Sequence, residues 1–425
     1  MKLPEGWHNK LLGDLFTKIV VGYVGNVNDH YCDAAIGVPF YRTLNIRDGY
    51  FRHDDIRYVT PEFNDKNKKS QIENDDILIA RVGANLGMVC KATGLNRTSN
   101  MANAIIIKSK SAKNADPDFY TYFLLSTYGK SQIYAGAAGG AQGVFNTKLT
   151  QEIAVPVPPL AEQKKIAQIL SAWDKAISVT EKLLANSQQQ KKALMQQLLT
   201  GKKRLGMPAG SYEFKLTHYG SIPKDWDYPA IKEVCTQVSE KNSEAADYPV
   251  LSCSKHDGFV DSLKYFNKKV YSDDLSGYRL IHRGYFGFPS NHIEEGSIGL
   301  QSLYETGIVS PIYVVFRASP TLVDNSYLYA VLKTDHYRQI FGAATNASVD
   351  RRGSLRWKEF SQIHVPLPPL KEQQKIAAVL SAADAEIFTL EKKLACLKDE
   401  KKALMQQLLT GKRRVKVEAE EAVSA

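Results

Sequence analysis

Apolar residues recur every three or four positions along two stretches of the chain. The first runs through Ile166, Leu170, Trp173, Ile177, Thr180, Leu184, Ser187, Lys191, Leu194 and Leu198. The second runs through Ile376, Leu380, Ala383, Ile387, Leu390, Leu394, Leu397, Lys401, Leu404 and Leu408. A mean spacing of 3.5 predicts helices whose stripes need burial against another helix. Pro158-Pro159 and Pro368-Pro369 precede them, Glu162 and Glu372 lie in the first turn, and Gly201 and Gly411 followed by basic residues mark the ends. Neither interval holds a Gly or Pro, so each predicts a rod of ~60 Å at 1.5 Å per residue.

The two stretches are copies. Pro156–Leu205 and Pro366–Val415 align without a gap at an offset of 210 with 31 of 50 positions identical, and KKALMQQLLTGK repeats intact. Fainter echoes precede them: Leu3-Pro4-x-x-Trp7 matches Ile222-Pro223-x-x-Trp226, and Ile153-x-Val155 matches Ile363-x-Val365. The chain reads lobe, helix, lobe, helix. Matched length and register favour the helices packing on each other, antiparallel, over each stripe docking on its own lobe. Trp7 and Trp226 read as core. Between the helices, Asp76–Arg81, Asn103–Lys108 and Ile312–Arg317 are strand-like, Phe119–Ser126 and Tyr327–Lys333 helical, and the Gly136–Gly143 run a loop.

Composition narrows the class. The 425 residues are 44% hydrophobic and 24% charged, enough to bury sizeable cores, which excludes wholesale disorder. No run is apolar enough for a membrane span, and Met1–Phe16 lacks a signal-peptide core, so a cytoplasmic location without membrane contact is expected. The five cysteines form no CxxC pair and read as free thiols. The net charge of +10 points to a polyanionic partner, yet it is concentrated at +6 over 160–205 and +4 over 371–414. Any nucleic acid must therefore meet the lobes through local clusters.

Motifs for chemistry fail on inspection. Gly129-Lys130-Ser131 lacks the upstream Gly of a phosphate-binding loop, and Cys253-x-x-His256 has no second half for a metal. The Asn-Pro-Pro-Tyr type of sequence by which amino-methyltransferases grip a base is absent, as is a nuclease carboxylate and lysine set. A duplicated scaffold that binds is favoured over an enzyme, with catalytic, cofactor and metal residues all expected to be none. A protein adaptor without DNA readout and a stand-alone nuclease or methyltransferase remain as alternatives.

PVPPLAEQKKIAQIL and PLPPLKEQQKIAAVL, each leading into a helix that ends QQLLTGKKRL or QQLLTGKRRV, resemble the central repeats of the specificity (S) subunit, HsdS, of Type I restriction-modification enzymes. Asp75-Asp76-Ile-Leu-Ile-Ala-Arg81 is similar to a strand of its target recognition domains, with Asn74 where Gly is usual, and Gly307–Tyr313 resembles a further block. The resemblance implies an α+β chain. Two mixed α/β target recognition domains (1–155 and 206–365) would be separated by two long helices (156–205 and 366–415), packed as a pseudo-twofold antiparallel intramolecular coiled coil, with a tail at 416–425. It further implies that each lobe reads one half of a split, asymmetric double-stranded DNA site, while the helices set the spacer. Two modification subunits carrying S-adenosylmethionine and restriction subunits using ATP and Mg would join it, and this chain would be non-catalytic.

Candidate base or phosphate contacts are Tyr41, Arg42, Arg81, Asn85, Arg97 and Asn100 in the first lobe. In the second they are Arg279, Arg283, Asn291, His292, Arg351, Arg352 and Arg356. Arginine matches guanine edges and asparagine adenine edges. The identical helix ends make Met195, Leu199, Met405 and Leu409 candidates for partner contact. Lys191-Lys192 and Lys401-Lys402 read either as solvated or as meeting phosphate or acidic partners.

Overall fold

The computed structural model describes residues 3–138, 144–208, 210–218, 220–244, 246–346 and 354–417. They fall into two compact units, one of residues 1–181 with 392–425 and one of residues 182–391. Each unit holds one lobe, the first half of one long helix and the second half of the other.

The long helices run Leu160–Leu198 and Leu370–Leu408. Both begin directly after the Pro-Pro pair and stop just before a left-handed glycine, Gly201 at φ +68° and Gly411 at φ +70°. The Lys203 N–H then donates to the Gln197 carbonyl, and that of Arg413 to the Gln407 carbonyl, so carbonyls left open at the helix end are bonded.

Inside each unit the helix halves are antiparallel, because partner numbers rise along one helix as they fall along the other. In the first unit Glu162 meets Arg414, Asp174 meets Lys401 and Glu181 meets Lys398. In the second, Glu372 meets Arg204, Asp384 meets Lys191, and the Ser187 hydroxyl donates to Glu386 at 3.1 Å. The expected pairing of the two stripes is found. Lys191 and Lys401, at stripe positions, take neither of the two roles expected of them: each bonds an aspartate of the facing helix.

In the first lobe an antiparallel sheet runs in the order Ile19–Val21, Ala104–Ile107, Ile77–Ala80 and Val89–Lys91. The second lobe repeats that order with Cys235–Val238, Tyr313–Ala318, Phe286–Pro289 and Gly299–Leu300. Three strands and two helices anticipated from the sequence lie within two residues of where they were expected, the helices being Pro117–Leu125 and Asn325–Leu332. In each unit one apolar face of that sheet forms a core with the helix residues nearest it, Ile166 and Leu170 with Leu408 and Leu409 in the first and Ile376 and Leu380 with Leu198 and Leu199 in the second, and further cores lie beyond the sheet. Burying such side chains contributes roughly 1.5–3 kcal/mol each.

The first lobe carries a further sheet, ordered Arg57–Val59, Val38–Tyr41, Ser99–Met101 and Gln71–Ile72, in which the middle pair is parallel. The second lobe has no second four-stranded sheet among the described residues and carries two-stranded pairs instead, Leu251–Ser254 with Gly258–Asp261 and Arg279–His282 with Thr306–Val309. The lobes thus share the layer facing the helices and differ beyond it. The described cysteines are unpaired, and among the described residues no helix is long and apolar enough to cross a membrane.

Candidate nucleic-acid interface

The repeated Glu-Gln pair after each Pro-Pro is the joint between helix and lobe. Gln163 is fully buried: its amide oxygen accepts from the Asp116 N–H at 2.8 Å, and its amide nitrogen donates to the carbonyls of Asn114 and Pro158. Gln373 does the same with the Asp324 N–H at 2.9 Å and the carbonyls of Leu322 and Pro368. Asp116 and Asp324 in turn cap the lobe helices by accepting from the N–H of Phe119 and Tyr327. Buried hydroxyls of Tyr120 and Tyr327 donate to the carbonyls of Pro156 and Pro366. These buried donors and acceptors are matched to one another, which ties each lobe to the start of its helix.

The glutamates close the other side. Arg414 donates through Nε to Glu162 at 2.9 Å and stacks 5.9 Å from the Trp7 ring; Arg204 donates through Nε to Glu372 at 2.9 Å and stacks 5.9 Å from the Trp226 ring. These arginines read from sequence only as cations near a helix end. The sequence held a signal for the joint in the paired Asp-x-x-aromatic stretches at 116–119 and 324–327, which went unused.

Of the base-reading candidates in the first lobe, two are corrected. Tyr41 is 3% exposed, its ring against Phe51 and its hydroxyl hydrogen-bonded to His53 at 3.0 Å, and burial pushes its phenol above the usual range. Asn100 is fully buried and bonds Asn64 and the Asn67 carbonyl. Neither can offer an edge to a duplex as placed, because both point inward from paired strands.

Arg81 donates to the Phe145 carbonyl and Asn85 to the Thr43 carbonyl, both half-buried beside the sheet. Arg97 is exposed, with its guanidinium 5.6 Å from the Tyr58 ring. Arg42 lines a cleft of about 390 Å³ with Asn26, Asn28, Thr43 and Asn103.

In the second lobe Arg279 donates to the Pro311 carbonyl and exposed Arg283 pairs with Glu305 at 2.7 Å. His292 lies 3.2 Å from Glu295, Asn291 is half-buried, and Arg356 is exposed at the start of a one-turn helix. Arg351 and Arg352 fall outside the described residues. Among the described residues one set of three ligand-type side chains comes within 4.8 Å, His292, Glu294 and Glu295, of which the first and last are exposed.

Of the partner candidates, Leu199 and Leu409 are corrected: at 4% and 1% exposure they belong to the cores. Met195 and Met405 are half-buried against those cores, and Met195 lines a groove of about 540 Å³ with Lys192, Thr217, Tyr228 and Tyr337. The exposed part of the identical block is instead Lys192, Ala193, Gln196 and Gln197, repeated as Lys402, Ala403, Gln406 and Gln407.

Comparison with known proteins places this architecture. The family profile of the Type I restriction modification DNA specificity domain matches residues 4–186 and again 223–397. The Type I restriction enzyme MjaVIII specificity subunit of Methanocaldococcus jannaschii is 26% identical over 434 residues, covering 98% of this chain and 95% of its own. The EcoKI specificity subunit of Escherichia coli K12 is 23% identical over 406 residues, 92% of this chain and 85% of its own. The crystal structure of the S subunit of a Type I restriction-modification system from M. genitalium superposes with a TM-score of 0.55 at 14% identity, over 96% of this chain and 98% of that one, so the fold is shared. Duplicated joints, duplicated sheet order and a profile that matches twice lead to one conclusion: the chain belongs to the Type I restriction-modification DNA specificity family, and its function is DNA sequence specificity.

Proposed function

We propose that each unit reads one half of a bipartite, asymmetric duplex site and that the helices set the gap between the halves. The carrying observation is the duplicated joint, in which the same glutamine bonds, arginine–glutamate pair and arginine stacking on tryptophan recur around lobes whose further strands pair differently. A common frame with unlike outer surfaces is what two readers of two different sequences require. Fixing both readers on one frame converts two weak contacts into one strong one.

The chain acts as a recognition and docking subunit without catalysis of its own. It takes two modification subunits, which bring S-adenosylmethionine, and restriction subunits, which bring ATP and Mg, and it works in the cytoplasm. Packing accounts for the identity of Leu194, Met195, Leu198 and Leu199 with their copies, since these line the cores. It does not account for exposed Lys192, Ala193, Gln196 and Gln197, which lie on one face at helical spacing. Two copies of one partner would make the same demand on both faces.

Methylome mapping in cells carrying this chain with its modification subunits tests the reading. The expected pattern is a split motif with two defined halves. Exchanging residues 1–150 for those of another family member should change one half only; a change in both halves, or in neither, would overturn it.

A further inference from the structure

The sheet order shared by the two lobes ends the same way in each: its fourth strand, Val89–Lys91 in the first unit and Gly299–Leu300 in the second, runs into a short surface loop. In the first unit this loop, residues 93–98, is held from behind by side chains outside it. The Asn74 amide donates to the Leu95 carbonyl and accepts from the Leu95 N–H, each at 3.0 Å. The His53 ring bonds the Thr93 carbonyl at 2.9 Å, and the Ser99 hydroxyl donates to the Arg97 carbonyl at 3.0 Å. Gly94 turns at φ +69°, where a Cβ would stand 3.1 Å from a His53 ring nitrogen. All these bonds go to loop backbone. The exposed side chains Asn96, Arg97 and Thr98 make no hydrogen bond or ion pair with the described residues.

The loop at the same station of the second unit, residues 301–305, is braced as firmly and tipped differently. The buried Gln301 amide accepts from the N–H groups of Leu303 and Tyr304 at 2.6 and 3.2 Å and donates to the Tyr304 carbonyl, while Arg283 donates to the Ser302 carbonyl. Its exposed tip is Ser302 and Leu303, and no cation lies between 301 and 305. A stiff backbone kept in both units under unlike tips marks a station whose placement is fixed and whose content is free to vary.

Of the six arginines in the first lobe, Arg97 is the one whose fork is both whole and held. Arg42 gives Nη2 to Asp55, Arg47 donates to the Ile46 carbonyl, Arg52 pairs with Asp54, and Arg81 gives Nε to the Phe145 carbonyl. Arg57 is exposed, but no ring or acceptor holds it among the described residues. Arg97 sits over the Tyr58 ring, 5.6 Å from its centroid, which restrains the guanidinium and leaves its N–H edges open. We propose that this loop enters the half-site read by the first unit and that Arg97 reads the edge of a guanine there, with Tyr58 as the residue that positions it. The inference rests on the half-site reading above and deepens it to one base. A fork restrained before binding loses little freedom when the base arrives, which favours bidentate contact. Arg97 is the single cation between 93 and 98, whereas a surface that tracks phosphates gathers several, so a base edge is the acceptor this loop fits.

The test uses the intact chain assembled with its modification subunits, methylating a duplex library whose sites are then sequenced. Arg97→Ala should lower the preference for guanine at one position by roughly 5- to 150-fold, in the half-site that exchange of residues 1–150 assigns to the first unit, and leave the other half unchanged. Arg97→Lys keeps the charge without the fork and should not restore it. Tyr58→Leu should weaken the same position by a smaller factor, and Tyr58→Phe, which keeps the ring, should not. Arg57→Ala should leave both halves as they were.

An unchanged profile for Arg97→Ala overturns the proposal, as does a first half-site without guanine. So does a uniform loss over all sequences with the salt slope lowered by about 1, the signature of a phosphate contact. Should Arg97→Ala fail to assemble, Arg97→Gln decides the matter by the same readout. A wild-type complex that yields no two-part motif sinks the half-site reading and this inference together; a two-part motif indifferent to Arg97 sinks this inference alone.

Discussion

The two helix-to-lobe joints solve one problem with different chemistry. In the first unit Trp7 donates through Nε1 to Glu162 at 3.2 Å, and Arg414 completes its bonding on the Glu5 carbonyl at 2.9 Å. In the second, Asp225 stands where the first has Gly6, and Arg204 binds both oxygens of its carboxylate at 2.7 Å. Trp226 is then left with a buried Nε1–H that has no acceptor among the described residues. The Arg204 side chain is 4% exposed, the Arg414 side chain 42%. The second joint has traded a tryptophan hydrogen bond for a second carboxylate and sunk its arginine. Once the contact frame existed twice, the charges inside it were free to drift, provided the glutamate kept a cationic partner.

The largest test of that contrast is removal of the arginines. Arg204→Ala strands the carboxylate of Glu372, whose side chain is 13% exposed, and removes a guanidinium that is 4% exposed, so it should destabilise the second unit by about 2–4 kcal/mol. Arg414→Ala, at a more exposed pair where Trp7 still donates to Glu162, should cost the first unit only about 1–2 kcal/mol. Hydrogen exchange at residues 225–234 and 7–15 reports each unit separately, and equal losses would erase the distinction between the joints.

Glycine replacement probes what the joints share. A Cβ on Gly201 would lie 2.3 Å from the Pro223 ring, and one on Gly411 2.6 Å from the Pro4 ring, both at positive φ. Gly201→Ala and Gly411→Ala should each cost about 1–3 kcal/mol, read as lost thermal stability. A loss at one site only would show that the two chain turns are not equivalent.

The finest comparison is Trp→Phe. Both replacements lose ring area, but only Trp7→Phe also breaks a bond to a buried carboxylate. It should be the more destabilising by about 1 kcal/mol in urea titrations followed by hydrogen exchange. Equal losses would mean that the Nε1–H of Trp7 contributes nothing.

The frame was legible in the sequence because it is written twice. An exact offset of 210, proline pairs and terminal glycines located the helices, and the stripe residues gave their mutual packing. The roles of Glu162, Gln163 and their copies were not legible, since their partners Arg414 and Asp116 are distant in sequence and a 3.5-residue period says nothing about them. Tyr41 and Asn100 misled because residue type was read without the face of the strand. Which face is buried depends on the parallel pairing of Ser99–Met101 with Val38–Tyr41, a long-range contact that no local pattern announces.

The division of the chain also carries a temporal meaning. The second unit is a continuous run, residues 182–391, whereas the first is completed by residues 392–425. On the ribosome the second can therefore close while the first still waits, with Ile166 and Leu170 uncovered until Leu404, Leu408 and Leu409 emerge. The lobe translated before the other is the later to mature, and loss of residues 392–417 would injure the unit that residues 3–181 begin.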